Sequence, residues 1–319
     1  MLYGLLHIPA RFAIRIYCRH VLINNKSMLS LKGPLLIAAN HPNSFLDAII
    51  LSTLFDEPVH SLARGDAFKK PSHEKLLRSL NMFPVYRISE GAGNLENNYD
   101  TFEKCKEIFR NNGIVLIFSE GRCINEWRLR PLKKGTARLA QSSWQESIPL
   151  KVLPAGINYQ SFTSFGKNIQ LNFGKMITEK DIPVSDGFGK TINEFNDRLR
   201  NELRSLVVEV EAKEKQKIKN IFLIEQPAFK KIILFIPAVA GYILHAPLYI
   251  PIEKIAAAKG GHNDHYDSLA VGLLFILYPL YLLIISLLVY LFIGNYWWLL
   301  VFILLPFCAW SYVQLKKQF

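Results

Sequence analysis

The chain has 319 residues, with 38 Lys and Arg against 26 Asp and Glu for a formal net charge of +12, and half of its residues are hydrophobic. That much apolar surface excludes a disordered or collagen-like chain. From Lys230 onward there are only 6 basic and 3 acidic residues, which leaves 32 and 23 for residues 1–229, so a basic region precedes an almost uncharged tail.

Residues 2–23 mix Leu, Ile and Phe with Arg11, Arg15 and Arg19, which recur every four residues and so predict a basic amphipathic helix lying on anionic lipid. A core helix with a solvated basic edge is the alternative. The first buried strand is predicted over 34–39. It runs into Asn40-His41-Pro42-Asn43-Ser44-Phe45-Leu46-Asp47, with a helix over 44–55. On one continuous helix, six steps of about 100° would point His41 and Asp47 in different directions. They can meet only if His41 lies in the turn, and Pro42 favours that because it disfavours a helical residue before it and starts helices well. Asp47 then falls in the first helical turns, where the macrodipole favours a carboxylate. There it could accept one imidazole hydrogen bond and leave the other nitrogen as a base. A turn-capping His and a helix-stabilising Asp would explain the same residues without chemistry.

A helix over 74–80 and a strand over 82–87 follow, the latter ending at Arg87 beside a loop with Gly91 and Gly93. An Arg there can grip phosphate through paired hydrogen bonds. After a helix over 96–111, the strand at 114–118 leads into Ser119-Glu120-Gly121-Arg122. An acid and a base at the end of a buried strand are costly unless they face a solvated pocket, so Arg122 is a second candidate phosphate ligand and Glu120 a candidate for holding a hydroxyl or an arginine. Arg128, Arg130, Lys133 and Lys134 extend the basic cluster. A helix over 136–145, strands over 149–159 and 169–173, and a helix over 191–213 complete an α/β domain with a mainly parallel sheet flanked by helices. Ligands of such sheets sit beyond strand carboxyl ends, here just after Ala39, Tyr86, Phe118 and Leu153.

In the tail, residues 232–250 are broken by Pro237, Gly241, His245 and Pro247 and have basic residues on both flanks, which predicts an interfacial or re-entrant segment. His262, Asp264, His265 and Asp267 form a polar loop, either a solvated interfacial turn or a metal site. Residues 269–293 carry no charge and can cross a bilayer core about 30 Å thick. A second span over 296–313 has Trp297 and Trp298 at one end and Trp310 and Tyr312 at the other. Lys316 and Lys317 put the C-terminus on the cytoplasmic side, and two spans put the basic part there as well. The organisation expected is a membrane-associated amphipathic helix over 1–30, the α/β domain over 31–220, the interfacial segment over 221–268 and a transmembrane hairpin over 269–319. Cys18, Cys105, Cys123 and Cys308 share no close spacing, which speaks against a disulfide framework or zinc site.

Asn40-His41 with Asp47, residues 83–87, Phe118-Ser119-Glu120-Gly121 and Val152-Leu153-Pro154 resemble, in order and approximate spacing, the four motif blocks of the glycerolipid acyltransferase family. Residues 133–139 resemble the segment that follows the third block. The resemblance implies acyl transfer to glycerol 3-phosphate or 1-acylglycerol 3-phosphate. In it His41 is general base, Asp47 its partner, Arg87, Ser119, Glu120, Gly121, Arg122 and Lys134 the acceptor site, and Pro154 part of the floor. It implies no metal and no cofactor beyond the thioester co-substrate, acyl-CoA or acyl carrier protein. A Gly-x-Ser-x-Gly nucleophile elbow is missing, which agrees with direct attack. The sequence departs from the family pattern in having five residues between His41 and Asp47, Asn81 in place of a glycine, Ser119 in place of a proline, and one residue fewer in the third block. Arg122 therefore aligns with either of two motif positions. The expected setting is an integral membrane protein with its catalytic domain on the cytoplasmic face, partnered by the phospholipid bilayer. The rivals are a non-catalytic lipid-binding protein and a metal hydrolase. Nucleic-acid binding lacks an aromatic platform or known module.

Overall fold

The computed structural model describes residues 2–86, 94–183 and 187–319. Seven strands form one sheet: β1 (His20–Ile23), β2 (Leu35–Ala39), β3 (Val59–Arg64), β4 (Met82–Val85), β5 (Ile114–Phe118), β6 (Lys151–Tyr159) and β7 (Asn168–Phe173), in the order β1-β7-β6-β2-β5-β3-β4. β6, β2, β5, β3 and β4 are mutually parallel, while β7 folds back against β6 and β1 runs parallel to β7. β2 sits between β5 and β6, and all five of its residues are buried. Covered on both faces, such a strand reads as an unbroken apolar run.

Alternate residues of β2 feed two cores. Leu35, Ile37 and Ala39 pack toward α1 (Leu2–Tyr17) and α2 (Ser44–Leu54), together with Ile252 and Ala256 of α8 (Ala228–Gly260) and Ala270 and Val271 of α9 (Tyr266–Ile293). Leu36 and Ala38 face Phe109 of α4 (Asn94–Arg110), Leu139 and Trp144 of α5 (Gly135–Gln145), and Phe195, Leu199 and Leu203 of α6 (Phe188–Leu206). The remaining helices are α3 (Pro71–Ser79), α7 (Lys215–Phe222) and α10 (Val301–Leu315).

Two strands escape the sequence reading. β1 follows α1 after a break at Cys18 and Arg19, so the run with the pattern of one helix over 2–23 is a helix and an edge strand. Arg19 consequently leaves the basic stripe. It is buried, and its Nε donates to the Val313 carbonyl (2.9 Å) at the C-terminal end of α10. α1 does carry an exposed apolar face, with Leu5, Ile8 and Phe12 outward. β3 includes His60, Ser61 and Arg64, which break up the apolar pattern. The helix expected over 191–213 ends at Leu206, and a separate α7 follows.

Residues 232–250 lie within a single helix, α8, that runs through Pro237, Pro247 and Pro251. Ala228–Gly260, Tyr266–Ile293 and Tyr296–Leu315 are each long and apolar enough to cross a membrane. The start of α8 is nevertheless linked to the α/β domain through α10, and its end enters the domain core. Near its start Lys230 Nζ donates to Gln314 Oε1 (2.7 Å), and Gln314 Nε2 donates to the Arg19 carbonyl (3.1 Å); near its end Ile252 and Ala256 enter the core. α8 and α10 meet closely at Gly241, where a Cβ would lie 2.1 Å from the Cys308 carbonyl oxygen. Gly241→Leu is therefore expected to push these helices apart at a cost of about 1–3 kcal/mol, seen as a lower melting temperature in detergent. Gly272→Leu, where nothing lies within 4 Å of an added Cβ, should melt like the wild type.

Candidate active site

The parallel register places Ala39 level with Phe118 and Ala155. Two residues on, His41, Glu120 and Ile157 occupy equivalent positions at one end of the sheet. Asn40 extends the ladder with its side chain, donating from Nδ2 to the Ile157 carbonyl (3.1 Å) and accepting from the Ile157 N–H (2.7 Å). The chain then turns through His41, Pro42 and Asn43, and α2 begins at Ser44, whose φ of 47° is unusual for a residue with a Cβ.

This turn brings His41 and Asp47 together, with Nδ1 2.9 Å from Oδ2. Asp47 is fully buried, while the His41 side chain keeps 18% of its surface exposed. Two further donors hold the carboxylate: the Asn43 backbone N–H to Oδ2 (2.8 Å) and the Tyr159 hydroxyl to Oδ1 (2.6 Å). Burial and the charge of Asp47 push the Tyr159 phenol well above its ordinary pKa, so it remains a donor. The His41 ring stacks on Phe118, with centroids 3.9 Å apart and planes 8° from parallel. Among the described residues, Nε2 of His41 makes no hydrogen bond, and it is the nitrogen open to a proton from outside.

Glu120 is buried, and both of its oxygens accept backbone N–H groups, from His41 (3.0 Å) and from Arg130 (2.9 Å). Burial lifts its carboxyl above the usual range, opposed by those two donors and by the nearby charges of His41 and Arg130. Expected to hold a substrate hydroxyl or an arginine side chain, Glu120 instead buckles the His41 turn to the loop preceding α5. Ser119 is buried beneath this turn, its backbone N–H donating to the Ala39 carbonyl (2.9 Å) and its hydroxyl accepting from Thr136 (3.0 Å). Both residues shape the site from behind.

Gly121 has φ of +70°, and a Cβ there would meet Lys133 Cγ at 2.9 Å, so glycine suits the turn on two counts. Arg122, Lys133 and Lys134 are exposed. Lys134 caps the start of α5, whose first turn contains no acidic residue, a setting favourable to anions. Arg128 and Arg130 are engaged with Glu126. Arg87 lies outside the described residues.

Pro154, expected in the floor, lies level with Ala38, well before the strand ends. Its carbonyl accepts from Gly174 and Val152 donates to Ile177, so its nitrogen faces the gap between those two contacts, where no N–H is required. β6 continues to Tyr159, and the residue at its carboxyl end that reaches the site is Tyr159 rather than one just after Leu153. The predicted strand over 149–159 already ended there, so the strand-end rule could have found it.

The polar residues 262–267 are placed against the same turn. Ser44 Oγ lies 2.7 Å from His265 Nδ1, Asp264 Oδ1 accepts from the Asn125 N–H (3.1 Å), and Asp267 accepts from Asn43, Tyr17 and Lys167. Among the described residues no group of three or more His, Cys, Asp and Glu could hold a metal ion. The amide of Glu120→Gln would have to present an NH2 group to one of the two backbone donors. We expect it to cost about 1–3 kcal/mol, measured by thermal or denaturant unfolding, and to lower activity at least tenfold; a variant as stable as wild type would contradict the buckle.

The solved crystal structure of the 1-acyl-sn-glycerophosphate (LPA) acyltransferase PlsC from Thermotoga maritima is similar to this chain at 14% identity and a TM-score of 0.43, over 70% of this chain and 83% of that one. No curated protein matches the chain. Residues 20–158 match the sequence model of the family described as Acyltransferase, a stretch that contains His41, Asp47, the Ser119–Arg122 turn and Pro154. This match identifies an acyltransferase domain over residues 20–158.

Proposed function

We propose that this enzyme transfers a fatty acyl group from an acyl thioester, acyl-CoA or acyl carrier protein, to a hydroxyl of glycerol 3-phosphate or its 1-acyl form. The observation that carries the reading is the His41–Asp47 pair. Its carboxylate is fully buried and held by three donors, and its imidazole is open on one side. His41 Nε2 takes the proton of the acceptor hydroxyl as its oxygen attacks the thioester carbonyl. The tetrahedral intermediate then expels the thiolate, which recovers the proton from the imidazolium. Asp47 holds the tautomer and stabilises the imidazolium, so no covalent acyl-enzyme and no metal is needed.

The exposed cations Arg122, Lys133 and Lys134 at the start of α5 suit the acceptor phosphate, and Arg87 joins them by resemblance. An apolar groove against α2, lined by Tyr3, Leu6, Phe45, Ala48, Ile49 and Met82 among others, offers the start of a path for the acyl chain. In the membrane, α9 and α10 form the spanning hairpin and α8 lies along the interface. This arrangement is supported by the link of the α8 start to the domain through Gln314 of α10, by the entry of its end into the core, and by the C-terminal residues: Gln318 meets Asn168, and Lys316 Nζ donates to the Phe165 carbonyl (3.0 Å). The domain then shares the side of Lys316 and Lys317, the cytoplasmic face by the positive-inside rule.

The test is to incubate purified enzyme with glycerol 3-phosphate and with 1-acylglycerol 3-phosphate, each with either donor, and to identify products by mass. One acceptor should gain one acyl chain, and His41→Ala should lower the rate about 10²- to 10⁴-fold. Product from neither acceptor would overturn the reading. Lipid binding unchanged in wild type and His41→Ala, with activity in neither, would favour a non-catalytic lipid-binding protein.

A further inference from the structure

We infer that Asp267, in the first turn of α9, is a positioning residue for acyl transfer: it aims Asn43, and through Asn43 the His41–Asp47 pair, so that the first membrane-hairpin helix is part of the active site. The inference rests on the His–Asp reading proposed above.

Asp267 is fully buried and 224 residues away in sequence from Asn43, whose Nδ2 donates to its Oδ2 (2.5 Å). Two other groups fix the carboxylate. The Tyr17 hydroxyl, at the end of α1, donates to Oδ1, and Lys167, just before β7 and also without exposed surface, donates to Oδ2. Burial, then the Asp267 charge, raises the Tyr17 phenol well above its ordinary pKa, so it stays a donor. Asp267 is thereby held by two elements of the domain while it holds a third.

Asn43 is the hinge of the catalytic turn. Its backbone N–H donates to Asp47 Oδ2, the oxygen that also faces His41 Nδ1. Its side-chain Oδ1 is buried without a partner among the described residues, so the bond to Asp267 is what orients this amide. Neighbouring contacts grip the same segment, His265 Nδ1 meeting Ser44 Oγ and the Phe45 N–H donating to Ser268 Oγ (3.2 Å), while Asp264 Oδ1 takes the Asn125 N–H of the loop after β5. A left-handed Ser44 is the kind of strain that persists where surrounding contacts over-determine the backbone.

Stability is a weak reason for this ion pair, because a buried Lys–Asp pair is often replaceable by apolar residues without loss. What an apolar pair cannot supply is an acceptor for Asn43. That difference separates a positioning role from a structural one. Full-length protein in detergent is compared as wild type, His41→Ala, Asn43→Ala, Lys167→Met with Asp267→Leu, and Lys167→Met with Asp267→Asn. The Leu pair and Asn43→Ala are expected to lose about 10- to 100-fold in kcat with KM for both substrates within about twofold while still melting cooperatively, the Leu pair at a lower temperature than wild type because the Tyr17 hydroxyl and the Asn43 amide lose their acceptor. The Asn pair, neutral but with an acceptor restored, is expected to recover most of the rate. If the Leu pair fails to fold, Asn43→Ala, which keeps the ion pair, decides. A kcat near wild type in Asn43→Ala or in a folded Leu pair, a loss confined to KM, or an Asn pair as slow as the Leu pair would overturn the positioning role. An active His41→Ala would instead overturn the His–Asp reading itself.

Discussion

A single buried carboxylate, that of Asp47, organises the end of this domain where the candidate site lies. An ionised group without exposed surface is tolerable only when its lone pairs are taken up, and here three donors converge on it: the His41 ring, the Asn43 backbone and the Tyr159 hydroxyl. They come from the end of β2, the turn into α2 and the end of β6. Asp47 can be satisfied only when the central strands are in register and α2 starts where it does, so the fold and the proposed general base are assembled by the same hydrogen bonds.

Glu120 plays the complementary part on the other flank. Its oxygens take backbone N–H groups from the His41 turn and from Arg130, which locks the loop leading to α5 against the strand ends. The result is a division of labour among charges. Asp47 and Glu120 are interior carboxylates that hold shape, whereas Arg122, Lys133 and Lys134 stay at the surface, where an anionic headgroup can meet them.

The apolar tail is more than an anchor. Ile252, Ala256, Ala270 and Val271 complete the core under α2, and Asp267 and His265 lie against the turn that carries His41. In the sequence those polar residues, His262 to Asp267, suggested either a solvated interfacial loop or a metal site, because a linear pattern of His and Asp does not reveal what faces it. The side-chain partners of Asp264, His265 and Asp267 lie 100 or more residues away and include Lys167, which carried no signal of its own.

The readable features were those with short-range causes. Strands β2 and β5 announce themselves as apolar runs because both faces are covered, and Pro42 places His41 in a turn through local sterics. β1 and β3 were hidden because an edge strand of four residues and a strand carrying His60, Ser61 and Arg64 lack that pattern. By itself the sequence determined the α/β class and the long uncharged segments and allowed the meeting of His41 with Asp47, since each follows from periodicity or from chain geometry within a few residues. Only the tertiary structure decided that Tyr159 completes the carboxylate's shell, that Glu120 braces loops, that Arg19 caps α10 and that Asp267 grips Asn43. Each of those is a buried polar group whose partner is chosen by packing across the sheet, and no local pattern encodes that choice.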